Sequence, residues 1–149
     1  SKVRYRLAGR PFAVHCCHCH DCQRETGSAF VINGLIETAQ VEVTAGQPEV
    51  IDTPSESGKG QRIVRCPTCE VALWSHYGGM GDKAAFVRVG TLEDPDACPP
   101  QVHVFTRSKQ PWFELPPDAA AYEIFYSRDD LEALFGEDGA RRWRGLRDG

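Results

Sequence analysis

An excess of basic charge is the first thing this chain lacks. Its 17 Lys and Arg are outnumbered by 21 Asp and Glu, giving a formal net charge of -4. That leaves no electrostatic footprint for nucleic acid, so no nucleic-acid partner is expected. Long apolar runs are also missing, which excludes a membrane-spanning helix, and no signal-peptide pattern opens the residues read here. Internal repeats, low-complexity tracts and linkers are absent too. The 149 residues therefore read as one domain, 1–149, large enough to bury its own core. An even cysteine count is the last absence. The seven cysteines cannot all pair, and they cluster as C-x-C-x2-C and C-x2-C, which suits metal binding better than disulfide bridging. A reducing, cytoplasmic setting is the expectation.

Most of the chemistry that is present sits in Val14-His15-Cys16-Cys17-His18-Cys19-His20-Asp21-Cys22-Gln23-Arg24-Glu25-Thr26-Gly27. Thiolates and imidazoles are ligands for a borderline-soft metal, and zinc is the default ion for such a set. In an extended segment Cys17 and Cys19 share one face and His18 points away. Cys22 then returns from a tight loop. Three converging thiolates with a free fourth position describe a catalytic rather than a closed structural zinc. His15 shares that face and is a candidate fourth ligand. His20 is a candidate hydrogen-bond donor to a thiolate. His18 reads as a core or surface residue, and His76 and His103 read as structural histidines, of which the family resemblance given below makes His103 the better functional candidate. Cys16 and Cys98 read as core residues.

Alternation marks strands at Val3 to Leu7, Phe12 to Cys19, Ser28 to Glu37, Val41 to Thr44, Glu49 to Asp52, Gln61 to Arg65, Ala72 to Tyr77, Ala84 to Val89 and Gln101 to Thr106. Asp21 to Thr26 reads as a short helix ending at Gly27. Residues 54–60 form a hairpin tip. Ser127 and Asp130 open a short capped helix, and 139–149 is expected to be a solvated tail. The sum is a mainly β, mostly antiparallel domain with short C-terminal helices.

Cys66-Pro67-Thr68-Cys69 is a zinc-knuckle turn, although Glu70 stands where glycine usually supplies a positive φ. One four-cysteine site from Cys19, Cys22, Cys66 and Cys69 is the competing arrangement. The 43 residues between its halves far exceed the roughly 15–20 of a zinc ribbon.

A family resemblance joins these pieces. Cys17-His18-Cys19-His20-Asp21-Cys22-Gln23, Gly27 and Phe30 carry its first half. Arg65-Cys66-Pro67-Thr68-Cys69 and Leu73-Trp74 carry its second zinc motif. Gly90-Thr91-Leu92, Pro100, His103, Ser108-Lys109 and Pro111-Trp112 carry its tail. The chain resembles the glutathione-dependent formaldehyde-activating enzyme (GFA) family, or CENP-V/GFA domain, over about residues 1–115. Residues 116–149 form a C-terminal extension.

The resemblance implies an Mss4-like (β-tent) fold with two zinc sites. The catalytic ligands would be Cys17, Cys19 and Cys22, and the structural ligands would include Cys66 and Cys69. The family's G-x-C-x-C-G segment should precede Val3, whereas the residues read here begin Ser1-Lys2, so two structural ligands are not in hand. The implied activity is carbon–sulfur lyase chemistry, in which zinc-bound glutathione forms or releases S-hydroxymethylglutathione; other thiols and small electrophiles are open. Arg24, Arg62, Arg65 and Lys109 are available for the tripeptide's carboxylates. The alternative is a non-catalytic zinc-binding β module acting through protein contacts. Cys17, which a site made of two C-x2-C pairs would not use, favours the enzyme.

Overall fold

The computed structural model describes residues 2–55, 57–77 and 79–149. Among these, ten strands form two sheets. They are β1 (Arg4–Leu7), β2 (Ala13–Cys17), β3 (Val31–Glu37), β4 (Val41–Ala45), β5 (Glu49–Thr53), β6 (Gln61–Arg65), β7 (Ala72–Tyr77), β8 (Ala84–Arg88), β9 (Val102–Val104) and β10 (Ala120–Ala121). The large sheet runs β10-β9-β2-β3-β8-β7-β6-β5, while β1 and β4 form a separate antiparallel ribbon. This mainly β architecture is the Mss4-like type expected from the sequence.

Antiparallel pairing dominates, with two exceptions: β9 runs parallel to both β2 and β10. The chain leaves β8 through residues 89–101, passes β3 and β2, and enters on the outer side of β2. A crossover of that length permits a parallel pair, which a hairpin does not. It brings the end of β9 beside the metal-ligand motif of β2.

Each face of the large sheet has its own core. One contains Phe12, Cys17, Cys19, Cys22, Val31 and Leu35, among others. The other contains Ile36, Val64, Cys66, Trp74, Ala85 and Val87 and is covered by Tyr5, Leu7 and Val41 of the ribbon. Alternation along β3 and β8 separates the two, with Leu35 and Phe86 on the thiol side and Ile36 and Val87 on the ribbon side.

Residues 139–149 are not a solvated tail. The Ser127–Asp130 capping box leads into α2 (Leu131–Asp148), which is kinked at Gly136, where φ is 76°. Phe135 and Ala140 are buried, and Trp143 and Leu146 pack against the thiol-side core. Arginines at 141, 142, 144 and 147 hide this pattern in the sequence. Arg142 is itself used structurally: it bonds Glu37 and the Arg10 carbonyl and lies 4.6 Å from the Phe12 ring centroid.

Candidate metal centre

The two ends of the first motif are held by different elements. β2 delivers Cys17, and α1 (His20–Thr26) delivers Cys22. Between them Cys19 is the helix N-cap, with extended backbone and Sγ accepting from the Cys22 N–H at 3.3 Å. Gly27, at φ 65°, stops the helix after two turns and returns the chain toward β3. Gln23 ties the helix down from its other side, donating to the carbonyls of His18 and Ser108.

The three sulfurs converge. All lie within 4.8 Å of one another, and Cys17 Sγ and Cys22 Sγ are 3.4 Å apart. Tetrahedral thiolates at about 2.3 Å from zinc stand roughly 3.8 Å from each other, so the spacing fits one such ion. All three are buried. The hydrogen bonds from Cys17 and Cys22 pull the Cys19 thiol down to about 3, whereas Cys17, bonded to Cys19 and Cys22, is pushed up. Cys22 also ends high, at about 12: its bond with Cys17 lowers it, and its bond with Cys19 and burial outweigh that. A metal ion held by the three sulfurs would displace their remaining protons.

His15 is not the fourth ligand in this geometry. Its Nε2 is 2.7 Å from the Tyr126 hydroxyl, which the C-terminal segment brings over the core. Burial holds the imidazole down, at about 4. His20 is exposed at the start of α1 and bonds no thiolate. His76 bonds the Ala84 carbonyl, a structural role as expected. Cys16 is buried, as a core residue should be, but it gathers with His18 and His103 in a second cluster on the opposite face of β2.

Three residues near the thiols escaped the sequence reading. Arg88 and Asn33 lie in register on the thiol face, with Arg88 Nη1 donating to Asn33 Oδ1 at 2.7 Å. Arg88 is buried, its Nε is unpartnered, and no carboxylate pairs with it among the described residues. Its charge lowers the Cys22 thiol. Tyr77 feels the same guanidinium and all three thiols, although burial is the main reason its hydroxyl is pushed up. The available signal was period two: Ala84, Phe86 and Arg88 point one way.

The Cys66–Cys69 turn is intact as a knuckle. Glu70 adopts φ 62°, the left-handed geometry for which glycine was missed, and its N–H closes onto the Cys66 carbonyl at 2.8 Å. Backbone N–H groups of Cys69 and Thr68 lower the Cys66 thiol to about 6, with a contribution from the Lys2 backbone. Residue 2 therefore lies beside the turn. Among the described residues no third Cys, His or carboxylate gathers with these two thiols, and the first motif is separate from them. The arrangement from Cys19, Cys22, Cys66 and Cys69 does not form.

Two clefts among the described residues bear on these sites. The larger, about 1170 Å³, is lined by β1, the knuckle's Cys69 and the Gly90–Cys98 loop, and does not touch the thiol triad. The smaller, about 370 Å³, includes Lys59, Arg62, Gln61, His76 and Tyr77 in its lining, and so reaches the triad's neighbour Tyr77.

A β domain that buries three convergent thiols at a strand–helix junction defines a class, the thiolate metal-binding domains of sheet type. Within it the chain belongs to the family described as Glutathione-dependent formaldehyde-activating enzyme, whose profile matches residues 1–108. No curated protein matches the chain. A solved structure of a Rhodobacter sphaeroides protein is similar at 16% identity and a TM-score of 0.44, over 61% of this chain and 78% of that one. Among the described residues no helix is long and apolar enough to cross a membrane.

Proposed function

We propose that the chain is a zinc-dependent carbon–sulfur lyase-like enzyme that forms or cleaves S-hydroxymethylglutathione or a similar thiol adduct of a small electrophile. The observation that carries this reading is a set of three convergent, buried thiols that no imidazole joins among the described residues, with His15 bonded to Tyr126 instead. Three protein ligands leave one position for substrate. Zinc held by Cys17, Cys19 and Cys22 would supply a Lewis acid that favours the thiolate form of a bound thiol.

The protein's own groups support the remaining requirements. Arg88 is a buried cation facing the anionic thiolates, which offsets their charge in a dry setting. In the forward direction the substrate sulfur bonds the carbonyl carbon, the C=O π pair moves to oxygen, and that oxygen takes up a proton. Lysis is the reverse. For the tripeptide's carboxylates, Arg62 is the best placed of the four cations considered, because it lines the cleft that ends at Tyr77; Lys59 stands with it. All four are already paired, Arg62 with Asp82, Arg24 with Asp21, Arg65 with Glu25 and Lys109 with the Phe113 carbonyl, so position at the cleft and not freedom singles out Arg62.

Cobalt in place of zinc tests this directly. Added reduced glutathione should bring a new sulfur-to-metal charge-transfer band, and formaldehyde should then be consumed as S-hydroxymethylglutathione appears by NMR. Arg62→Gln should raise KM for glutathione several-fold with metal content unchanged. An unaltered cobalt spectrum at millimolar glutathione would leave the non-catalytic module as the better reading.

A further inference from the structure

The face of β2 turned away from the triad carries its own set of ligand-type side chains. Cys16 stands opposite His103 across the parallel β2–β9 pair, and His18 follows two residues later on the same face. One donor atom from each lies within 4.8 Å of the other two. All three residues are buried, at 1%, 0% and 4% exposure for Cys16, His18 and His103. His18 Nε2 and His103 Nδ1 are 2.9 Å apart, so a single proton must sit between two ring nitrogens. His18 Nδ1 is buried with no partner at all. The rings of Phe30 and Phe113 pack against His18 and seal the cluster.

A buried nitrogen without a partner, beside a proton wedged between two imidazoles and next to a thiol, is a donor set without a Lewis acid. We propose that Cys16, His18 and His103 form a second metal site, distinct from the Cys17–Cys19–Cys22 centre, that takes a soft monovalent ion of low coordination number, copper(I). One thiolate and two neutral imidazoles around a monovalent ion make a neutral assembly, which suits an aromatic-lined interior. A divalent ion would leave one positive charge there, with the Lys109 ammonium close enough to act on His18. It would also call for a fourth donor, and this group offers three among the described residues. Soft thiolate ligation suits copper(I) and zinc alike, and the charge and the donor number decide for copper(I). Binding exchanges the Cys16 thiol proton for the metal and releases that proton to solvent.

Copper(I) is diamagnetic, so the imidazoles themselves can report. The full chain, supplied with one equivalent of zinc, is titrated anaerobically with the acetonitrile complex of copper(I), with a competing chelator setting the free copper. Histidine side-chain 15N shifts are followed, and released zinc is read with a chromogenic indicator. The His18 and His103 nitrogens should shift and saturate at one equivalent, while His15 and His76 stay and no zinc is released. Cys16→Ala should weaken copper retention at least tenfold with the fold unchanged. Stoichiometric zinc release with unmoved His18 and His103 would mean that the triad took the copper, which overturns the site. Failure to retain copper overturns it as well. If zinc and not copper moves these two histidines, the ion assignment is wrong. Because the readout is on His18 and His103, the result stands whether or not the triad binds glutathione.

Discussion

Glu70 and Phe105 both adopt left-handed backbone, with φ of 62° and 56°. In a non-glycine residue the Cβ crowds the following carbonyl, at a cost of about 1–2 kcal/mol. The two residues offset that cost differently. Phe105 packs its ring against the thiol-side core just after β9, so the strain is exchanged for burial. Glu70 is exposed and makes its contacts through the main chain, closing the knuckle onto Cys66 and accepting from Arg65 through its carbonyl. Glu70→Gly should therefore stabilise the protein by about 0.5–1 kcal/mol, the relieved strain less the added freedom of the unfolded chain. Phe105→Gly should destabilise it, since the ring's packing goes with the strain. Urea midpoints of the two variants, moving in opposite directions, check the argument.

Elements with a clean period were legible in the sequence; those built from long-range contacts were not. β6 and β7 follow their alternation, and α1 ends at the glycine that its sequence marks. The triad was legible for the same reason, because C-x-C in extended backbone from the strand end to the helix N-cap, followed by a two-residue return, fixes three sulfurs locally. The parallel placement of β9 depends on where a loop crosses the sheet, which no local pattern encodes. His103 became visible as a neighbour of the ligand strand only with that topology, and Arg88 only with the β3–β8 pairing that sets it opposite Asn33. The start of the last helix was legible from its capping box, but its continuation through 139–149 was missed because its arginines mask its apolar face. One of them, Arg142, carries a testable load. Burial alone would raise the Glu37 carboxyl, but hydrogen bonds from Arg142 outweigh it and hold the carboxyl below its ordinary 4.5. The unfolded state then binds the proton more readily. The pair's stabilisation is complete above about pH 4.5 and is lost as pH falls through the folded-state value. Arg142→Gln should cost about 1–3 kcal/mol at pH 7, because Glu37 is left largely buried and the contact with Phe12 is weakened. The difference from the parent should shrink toward pH 3 in denaturant titrations.

At the scale of the whole molecule, the family match ends at residue 108, yet the core around the triad does not. Tyr126 and Phe135 are buried members of that core, and Leu134, Trp143 and Leu146 pack against it. Tyr126 also takes up His15, leaving the three thiols without that imidazole. Burying five such side chains contributes on the order of 10 kcal/mol before conformational entropy is set against it, comparable to a typical domain's entire stability of about 5–15 kcal/mol. The region after 113 is thus a structural part of the core that holds the three thiols. A chain ended at residue 113 should lose its cooperative thermal transition and expose apolar surface to a dye, and metal at the triad should fall with it. Cys17→Ser should behave differently. It removes one ligand from an otherwise complete core, so bound metal should be lost while far-ultraviolet circular dichroism and the thermal transition persist, the latter lowered by a few degrees. Metal analysis beside a melt separates the two variants: the truncation should fail in both measurements and Cys17→Ser in the first. A truncated chain that melts cooperatively with full metal content would make the C-terminal helix a dispensable cover and place the stability of the centre wholly within the strand–helix junction.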